Sequence, residues 1–272
     1  MVPRPPSPGD LVLGVIGGSG LYELLDDAEE VVLDTPFGAT SDVIHVGEMG
    51  GQPTAFIARH GRAHHLPPHL VPYRANLWAL HHLGVRRVVA PAASGSLQPG
   101  IQPGDIVICD QFVDRTYGRP DTYSEAGSVI HVSMADPYCP ALRHLAAGAA
   151  QQLGVRAHPG GTVVVIQGPR FSTRAESRWF AEAGWSVVNM TQYPEAALAR
   201  ELGLCYVNLS VVTDRDAGVP GDPGAPAVDA RTVLAVLREG MNDARAMIAV
   251  MARGLTGLPQ CDCQALAERA RI

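Results

Sequence analysis

Asp214 and Asp216 stand two residues apart in Thr213-Asp214-Arg215-Asp216, directly after the apolar run Cys205 to Val212. In an extended segment that spacing turns both carboxylates to one side. Such a pair suits the edge of a purine: one carboxylate accepts from an exocyclic amine, and the other, held protonated or sharing a proton, donates to ring N7. Protonating N7 makes the base a far better leaving group from a sugar, which is general-acid catalysis. The plainer reading is a loop pair capping the turn that enters the Gly/Pro-rich stretch 218–226. Phe171, between Arg170 and Ser172 after another apolar run, offers a stacking face, although an aromatic residue is more often core.

An anion has its own candidates. Gly14-Val15-Ile16-Gly17-Gly18-Ser19-Gly20 breaks the apolar run Leu11 to Ile16 into glycine where a parallel strand would end. Phosphate loops are built this way, and so are tight turns between strands. Arg59-His60 follows the run Thr54 to Ala58, so the guanidinium can fork onto two phosphate oxygens with the imidazole donating beside it. The alternative is a structural arginine paired to an acid. The chain contains no lysine, which removes a Walker A loop and any Schiff-base chemistry. The glycine spacing also departs from the dinucleotide fingerprint G-x-G-x-x-G. His60, His64, His65 and His69 carry i, i+4 spacings that invite zinc, but no H-E-x-x-H pattern follows, and Pro67 and Pro68 break a helix that would align them. No metal is expected.

These residues need elements to hold them. Short β-branched runs recur at Thr54 to Ala58, Arg87 to Ala92, Ile106 to Cys109, Thr162 to Ile166, Ser186 to Asn189 and Cys205 to Val212. Their lack of alternation predicts strands covered on both faces. Helical patterns lie between them at Arg74 to Leu83, Pro140 to Leu153, Arg174 to Ala183, Pro194 to Leu202 and Arg231 to Arg253. The alternation predicts an α/β fold, a single domain with a mixed, largely parallel twisted sheet flanked by helices. Ligands in such sheets gather at the carboxyl ends of strands. Six strand ends then bring Gly17 to Gly20, Arg59 to Arg62, Ala93 to Ser96, Gly168 to Ser172, Met190-Thr191 and Thr213 to Asp216 to one rim. That inventory suits a phosphate plus a heteroaromatic base.

Hydrophobic residues make up 46% of the 272 and charged residues 18%, with no long polar linker, so one domain is expected. A net charge of -6 argues against nucleic acid and anionic membrane surfaces as partners. No apolar run reaches the roughly 18 residues that span a bilayer. The start, MVPRPPSPGD, lacks the apolar stretch of a signal peptide, and a cytoplasmic location is expected. Residues 1–10 read as a disordered Pro-rich start, 11–255 as the domain and 256–272 as a C-terminal tail. Cys109, Cys139, Cys205, Cys261 and Cys263 read as buried or free thiols. Cys261-Asp262-Cys263 can bind a soft metal or close a strained disulfide, but Gln260, Gln264 and Ala265 add no ligand, so a surface tail is expected.

Eight ordered segments, GVIGGSGLYE, DTPFGATSD, ARHGRAHHLPPH, YRANLWAL, SGSL with QPGDIVICDQFVDRT, GPRFSTRAES, NMTQYPEAALARE and TDRDAG, together resemble the 5'-methylthioadenosine phosphorylases of the trimeric purine nucleoside phosphorylase family. The resemblance runs from about Leu11 to Met251. It implies phosphate-dependent cleavage of an N-glycosidic bond, giving adenine and a 5-substituted ribose 1-phosphate, with phosphate as co-substrate and no metal or organic cofactor. It further implies a homotrimer, or a dimer of trimers, with the site near a subunit interface. Ser19, Arg59, His60, Ala92, Ala93 and Thr191 would hold phosphate, and Met190 would pack on the ribose. Phe171, Ser172, Asp214 and Asp216 would hold the base, with the two aspartates catalytic. Ala230, Val233 and Leu234, with His131 from a neighbouring subunit, would receive the 5'-substituent. Ser172 with Asp214 resembles the 6-aminopurine pattern, where enzymes for 6-oxopurines typically place Glu and Asn.

Two departures stand out. The family often has threonine where Ala92 stands, and the Gly/Pro-rich loop between Asp216 and Val233 is longer than the pattern leads one to expect. The alternatives are a general phosphorylase acting on adenosine or inosine, a hydrolytic nucleosidase indifferent to phosphate, a non-catalytic purine-binding protein, and a histidine-zinc hydrolase. The second anion grip favours a phosphate user.

Overall fold

The computed structural model describes residues 12–18, 21, 25, 28–219, 230–257 and 261–272. Ser19 and the Pro-rich start lie outside the described residues, as do the side chains of Ala230 and Leu234. The first half contains β1 (Leu13–Gly17), β2 (Glu29–Val31), β3 (Ile44–Met49), β4 (Gln52–Ala58), α1 (Tyr73–His82), β5 (Arg87–Ser96), β6 (Ile106–Val107) and β7 (Gln111–Arg115). The second half contains α2 (Pro140–Leu153), β8 (Ala157–His158), β9 (Thr162–Ile166), α3 (Arg174–Glu182), β10 (Val187–Asn189), α4 (Gln192–Glu201), β11 (Cys205–Arg215), α5 (Ala230–Gly254) and α6 (Cys263–Arg269). Every strand expected from the runs forms. The half-exposed β2 and the β3 strand before β4 carry no comparable apolar run and were not anticipated, nor were β7, β8 and α6.

Successive strand residues face opposite layers, as the strand period requires. Val88 and Tyr206 join the core under α1 and α4 with Leu77, Leu80 and Leu198. Val89 and Val207 join the core under α2 and α5 with Leu142, Met247 and Met251. Burial on both faces accounts for the non-alternating strand sequences.

The central strand β5 decides where a site forms. Along one edge it pairs with β11 in parallel over nearly its whole length, Cys205↔Arg87 through Arg215↔Ser96. Its other edge is shared. Residues Arg87 to Val89 pair with β1 in parallel, and Gly95 and Ser96 pair with β10 antiparallel. Between these partners the edge of β5 is open from Ala90 to Ser94, and buried backbone groups there need partners from elsewhere.

The C-terminal segment is not a surface tail. In α6, Cys263 is 2% exposed and Ala267 4%. The helix packs on α4, and Arg271 bridges to Ile130.

Candidate active site

The open edge of β5 forms the floor of a cavity of about 480 Å³. All six strand ends reach it: Gly18 after β1, Arg59 and His60 after β4, Ala92 to Gly95 on β5, Phe171 and Ser172 after β9, Asn189 to Thr191 after β10, and Thr213, Asp214 and Asp216 on and after β11.

A bulge aims the carboxylate end. The β11 register passes from Val212↔Ser94 to Asp214↔Gly95, so Thr213 is an extra residue opposite β5. Bulges of this kind re-aim side chains beside functional sites. Thr213 Oγ1 donates to Asp214 Oδ1 at 2.7 Å. A Cβ on Gly95 would lie 3.2 Å from Asp214 Oδ2 and 3.5 Å from Asp216 Cβ, so both aspartates flank this glycine and use its bareness. Burial raises the Asp214 carboxyl to about 6; the Thr213 hydroxyl opposes the shift and Asp216 adds to it. Asp216, 2% exposed, is also raised by burial. Two neighbouring carboxyls that resist ionisation supply both a proton donor and an acceptor.

Two buried polar atoms on the cavity's lining residues lack a hydrogen-bond partner among the described residues, Ser94 Oγ and Asn189 Nδ2, while the hydroxyls of Ser177 and Ser172 oppose the upward shift of Asp216 by hydrogen bonding to it. An unpaired buried polar group costs about 1–3 kcal/mol. Phe171, 39% exposed, lies on the same wall. This end of the cavity therefore has a polar edge and an aromatic face, as a purine requires.

The residues expected to hold an anion also line the cavity, with two differences from the expectation. Arg59 does not present its fork to the cavity. Its Nε and Nη2 clasp Glu195 at 2.7 and 2.8 Å, Nη2 also donates to Ile16 O, and Nη1 donates to Pro91 O, each at 3.0 Å. Burial works against the charge, and Glu195 more than restores it. With four of five N–H groups engaged, one Nη1 hydrogen remains, and Nη1 lies 4.0 Å from where a Cβ on Gly18 would stand. Likewise His60 is not placed as a donor. Its Nδ1 lies 2.8 Å from Leu66 O, which can only accept, so Nδ1 carries the hydrogen. Burial first, then the charge of Arg59, lowers the imidazole to about 4. Nε2 is left as an acceptor.

Thr191 is 5% exposed and heads α4 without a side-chain capping bond, so its hydroxyl is not consumed by the helix. Ala92 and Ala93 lie on the open edge of β5 and line the cavity. Gly168 adopts φ +61°, and a Cβ there would lie 2.6 Å from Met190 Sδ, so a side chain at this position would displace the methionine that lines the cavity. On the α5 side of the cavity, Val233 is joined by Leu237 and Met241. Those two were missed, although the i, i+4, i+8 spacing on a helix puts all three on one stripe. Glu195 was also missed; an acid in the first turn of a helical pattern was its only signal. His131 is exposed and absent from this chain's cavity, its backbone N–H bonding Ala270 O at 2.8 Å.

Residues 12–251 match the Phosphorylase superfamily. The chain is 58% identical over 220 residues to the S-methyl-5'-thioadenosine phosphorylase of Mycolicibacterium smegmatis, covering 80% of this chain and 83% of that protein. It is 50% identical over 263 residues to the purine nucleoside phosphorylase of Streptomyces coelicolor, covering 93% of each. Among solved structures, a mutant adenosine/methylthioadenosine phosphorylase from Schistosoma mansoni in complex with methylthioadenosine superposes with a TM-score of 0.88 at 34% identity, covering 96% of this chain and 98% of that one.

Proposed function

The chain belongs to the Phosphorylase superfamily, and from that premise we propose that it cleaves 5'-methylthioadenosine with inorganic phosphate, giving adenine and 5-methylthioribose 1-phosphate. The observation that carries this reading is the polarity of one cavity, with Asp214 and Asp216 at one end and the open β5 edge with Arg59 at the other. A nucleoside lying between them places its anomeric carbon midway.

In this reading Asp214, the carboxyl raised to about 6, donates to N7, while Asp216 Oδ2 accepts from the exocyclic amine. Ser172 adds a hydroxyl to the base edge and Phe171 a stacking face. As the C–N bond breaks, its electron pair goes to the base and the ribose becomes oxocarbenium-like. Phosphate held by the Ala92–Ala93 backbone, Thr191, the free Arg59 N–H and Ser19 supplies both nucleophile and compensating charge. Positioning and electrostatics carry the rate. Val233, Leu237 and Met241 make an apolar wall suited to a methylthio group.

His131 belongs to a neighbouring subunit's site in this reading, and the functional unit is a homotrimer. No described helix is long and apolar enough to cross a membrane. A cytoplasmic location is proposed from the cysteine usage. Purine nucleoside phosphorolysis of wider scope is the second reading, favoured by the Streptomyces relative.

The test is incubation with 5'-methylthioadenosine, 5'-deoxyadenosine, adenosine and inosine, with and without phosphate, following free base. Adenine released only with phosphate, fastest from 5'-methylthioadenosine, is the expected result. Release without phosphate would mean a hydrolase, no release a binding protein, and comparable rates from inosine the wider activity.

A further inference from the structure

The sequence leaves Cys261-Asp262-Cys263 without further ligands, but the fold supplies two. Cys139 precedes α2, Cys205 opens β11, and Cys261 and Cys263 lie at the start of the C-terminal segment. The four Sγ atoms all lie within 4.8 Å of one another. Cys139 and Cys263 are 1% and 2% exposed, and the other two are half-buried. Among the described residues these are the only histidine, cysteine or acidic side chains that converge in a group of three or more with metal-binding spacing.

We propose that Cys139, Cys205, Cys261 and Cys263 form a tetrathiolate site for a tetrahedral, thiophilic divalent cation of the zinc class, which fastens the C-terminal segment to the body of the enzyme. Metal–sulfur bonds of about 2.3 Å set tetrahedral sulfur–sulfur edges of about 3.8 Å. A cluster with every edge under 4.8 Å needs only small adjustments to reach that shape. The Cys205–Cys261 edge, 3.1 Å, is well beyond the roughly 2.05 Å of a disulfide, and all four cysteines are free thiols.

The surroundings favour thiolates over disulfide sulfurs. Arg200 Nη1 lies 3.4 Å from Cys263 Sγ and donates to it, in a buried setting. Guanidinium donors beside sulfur compensate a site whose four thiolates and one divalent cation sum to two negative charges. Cys139 is the N-cap of α2, a helix of 14 residues whose N-terminal partial charge also favours an anionic sulfur. Neutral disulfides would have no use for either. On loading, four S–H bonds break, four sulfur–metal bonds form and four protons leave to solvent, so no oxidant or reductant is needed. The cation is structural and takes no part in phosphorolysis.

The experiment uses the full-length enzyme, purified and handled anaerobically with reductant. Zinc content is measured, then cobalt is introduced in its place. One metal per chain and a cobalt spectrum with intense near-ultraviolet sulfur-to-metal charge transfer and tetrahedral visible bands are expected. Cys261→Ser and Cys263→Ser should lose the metal, whereas Cys109→Ser should keep it, since Cys109 packs elsewhere against Ser210. Stripping the metal should lower Tm while leaving KM for phosphate and nucleoside unchanged. Should the serine variants fail to fold, the wild-type cobalt spectrum and a count of reagent-accessible thiols with and without metal decide the matter. Substoichiometric metal with no charge-transfer band would overturn the proposal. So would an enzyme whose four thiols are consumed as two disulfides and which, once reduced, takes up no cobalt.

Discussion

Arg59 and Glu195, each 1% exposed, form a two-pronged ion pair at 2.7 and 2.8 Å behind the anion end of the cavity. Tyr206 extends it, donating to Glu195 Oε1 at 2.7 Å. Arg59 is thereby a fixed wall of positive charge rather than a mobile clamp. Its one uncommitted N–H is aimed by the residues that hold the other four.

Removing one partner of a buried ion pair leaves an uncompensated charge, at about 3–5 kcal/mol. Glu195→Ala should lose roughly that much in denaturant unfolding. Glu195→Gln keeps the shape and one acceptor, and should fold while raising the phosphate KM more than the nucleoside KM. Equal changes in both KM values would mean that the pair holds up the fold without aiming Arg59.

Asp214→Asn removes the general acid at N7 but leaves an amide N–H that still bonds N7 and no longer sets a carboxylate beside the neighbouring 6-oxo group of inosine. Loss of general-acid assistance should lower adenosine turnover by about 10²–10⁴-fold. Inosine should lose less, so the adenosine-to-inosine ratio of kcat/KM should fall. An unchanged ratio would remove Asp214 from base recognition.

The same carboxyl sets a pH dependence. Asp214 is raised to about 6, chiefly by burial, and its protonated form is the one that donates. In the free enzyme kcat/KM for the nucleoside should be level below pH 6 and decline above it, and Asp214→Asn should lack this limb. Stability follows the same sign. A carboxyl whose folded value exceeds its unfolded one stabilises the fold fully below the unfolded value, near 4, and loses that contribution as pH rises through about 6.

Much of this site was legible in the sequence because strand ends in an α/β sheet deliver their following residues to one rim. The Asp214/Asp216 spacing and Thr191 needed only local geometry, whereas the bare Gly95 that both aspartates flank is set by the pairing of β5 with β11. Other features depended on partners far away in the chain. The Arg59 fork reads the same whether it faces a phosphate or Glu195, 136 residues on. The donor role of His60 was overturned by a carbonyl six residues away, because the chain turns back at Gly61 (φ +71°). The Cys-x-Cys pair looked idle because Cys139 and Cys205 meet it only in the folded layers. Ser19, Ala230 and Leu234 remain expectations from the sequence.

The α5 wall of the cavity should set preference at the 5' position. Val233 lies on the α5 stripe with Leu237 and Met241. A single apolar contact of this kind is worth about 1–3 kcal/mol between close analogues. Val233→Ser should lower kcat/KM for 5'-methylthioadenosine about tenfold relative to adenosine. A constant ratio would place the 5' group elsewhere.

On the proposed reading, His60 sets the protonation state in which phosphate is held. With Nδ1–H committed to Leu66 O and the imidazole lowered to about 4 by burial and by Arg59, the ring is neutral near pH 7 and offers only the Nε2 lone pair. Monohydrogen phosphate carries one hydroxyl, which can donate there, leaving its other three oxygens for Arg59, Thr191 and the β5 backbone. A hydrogen bond involving a charged partner is worth about 1.5–3 kcal/mol, so His60→Ala should raise the phosphate KM by about 10–100-fold with little change in the nucleoside KM. Calorimetry of phosphate binding at pH 8, in buffers of different ionisation enthalpy, should show almost no net proton uptake. Uptake approaching one proton per site would mean that His60 becomes cationic on binding and donates, and the acceptor role would be lost.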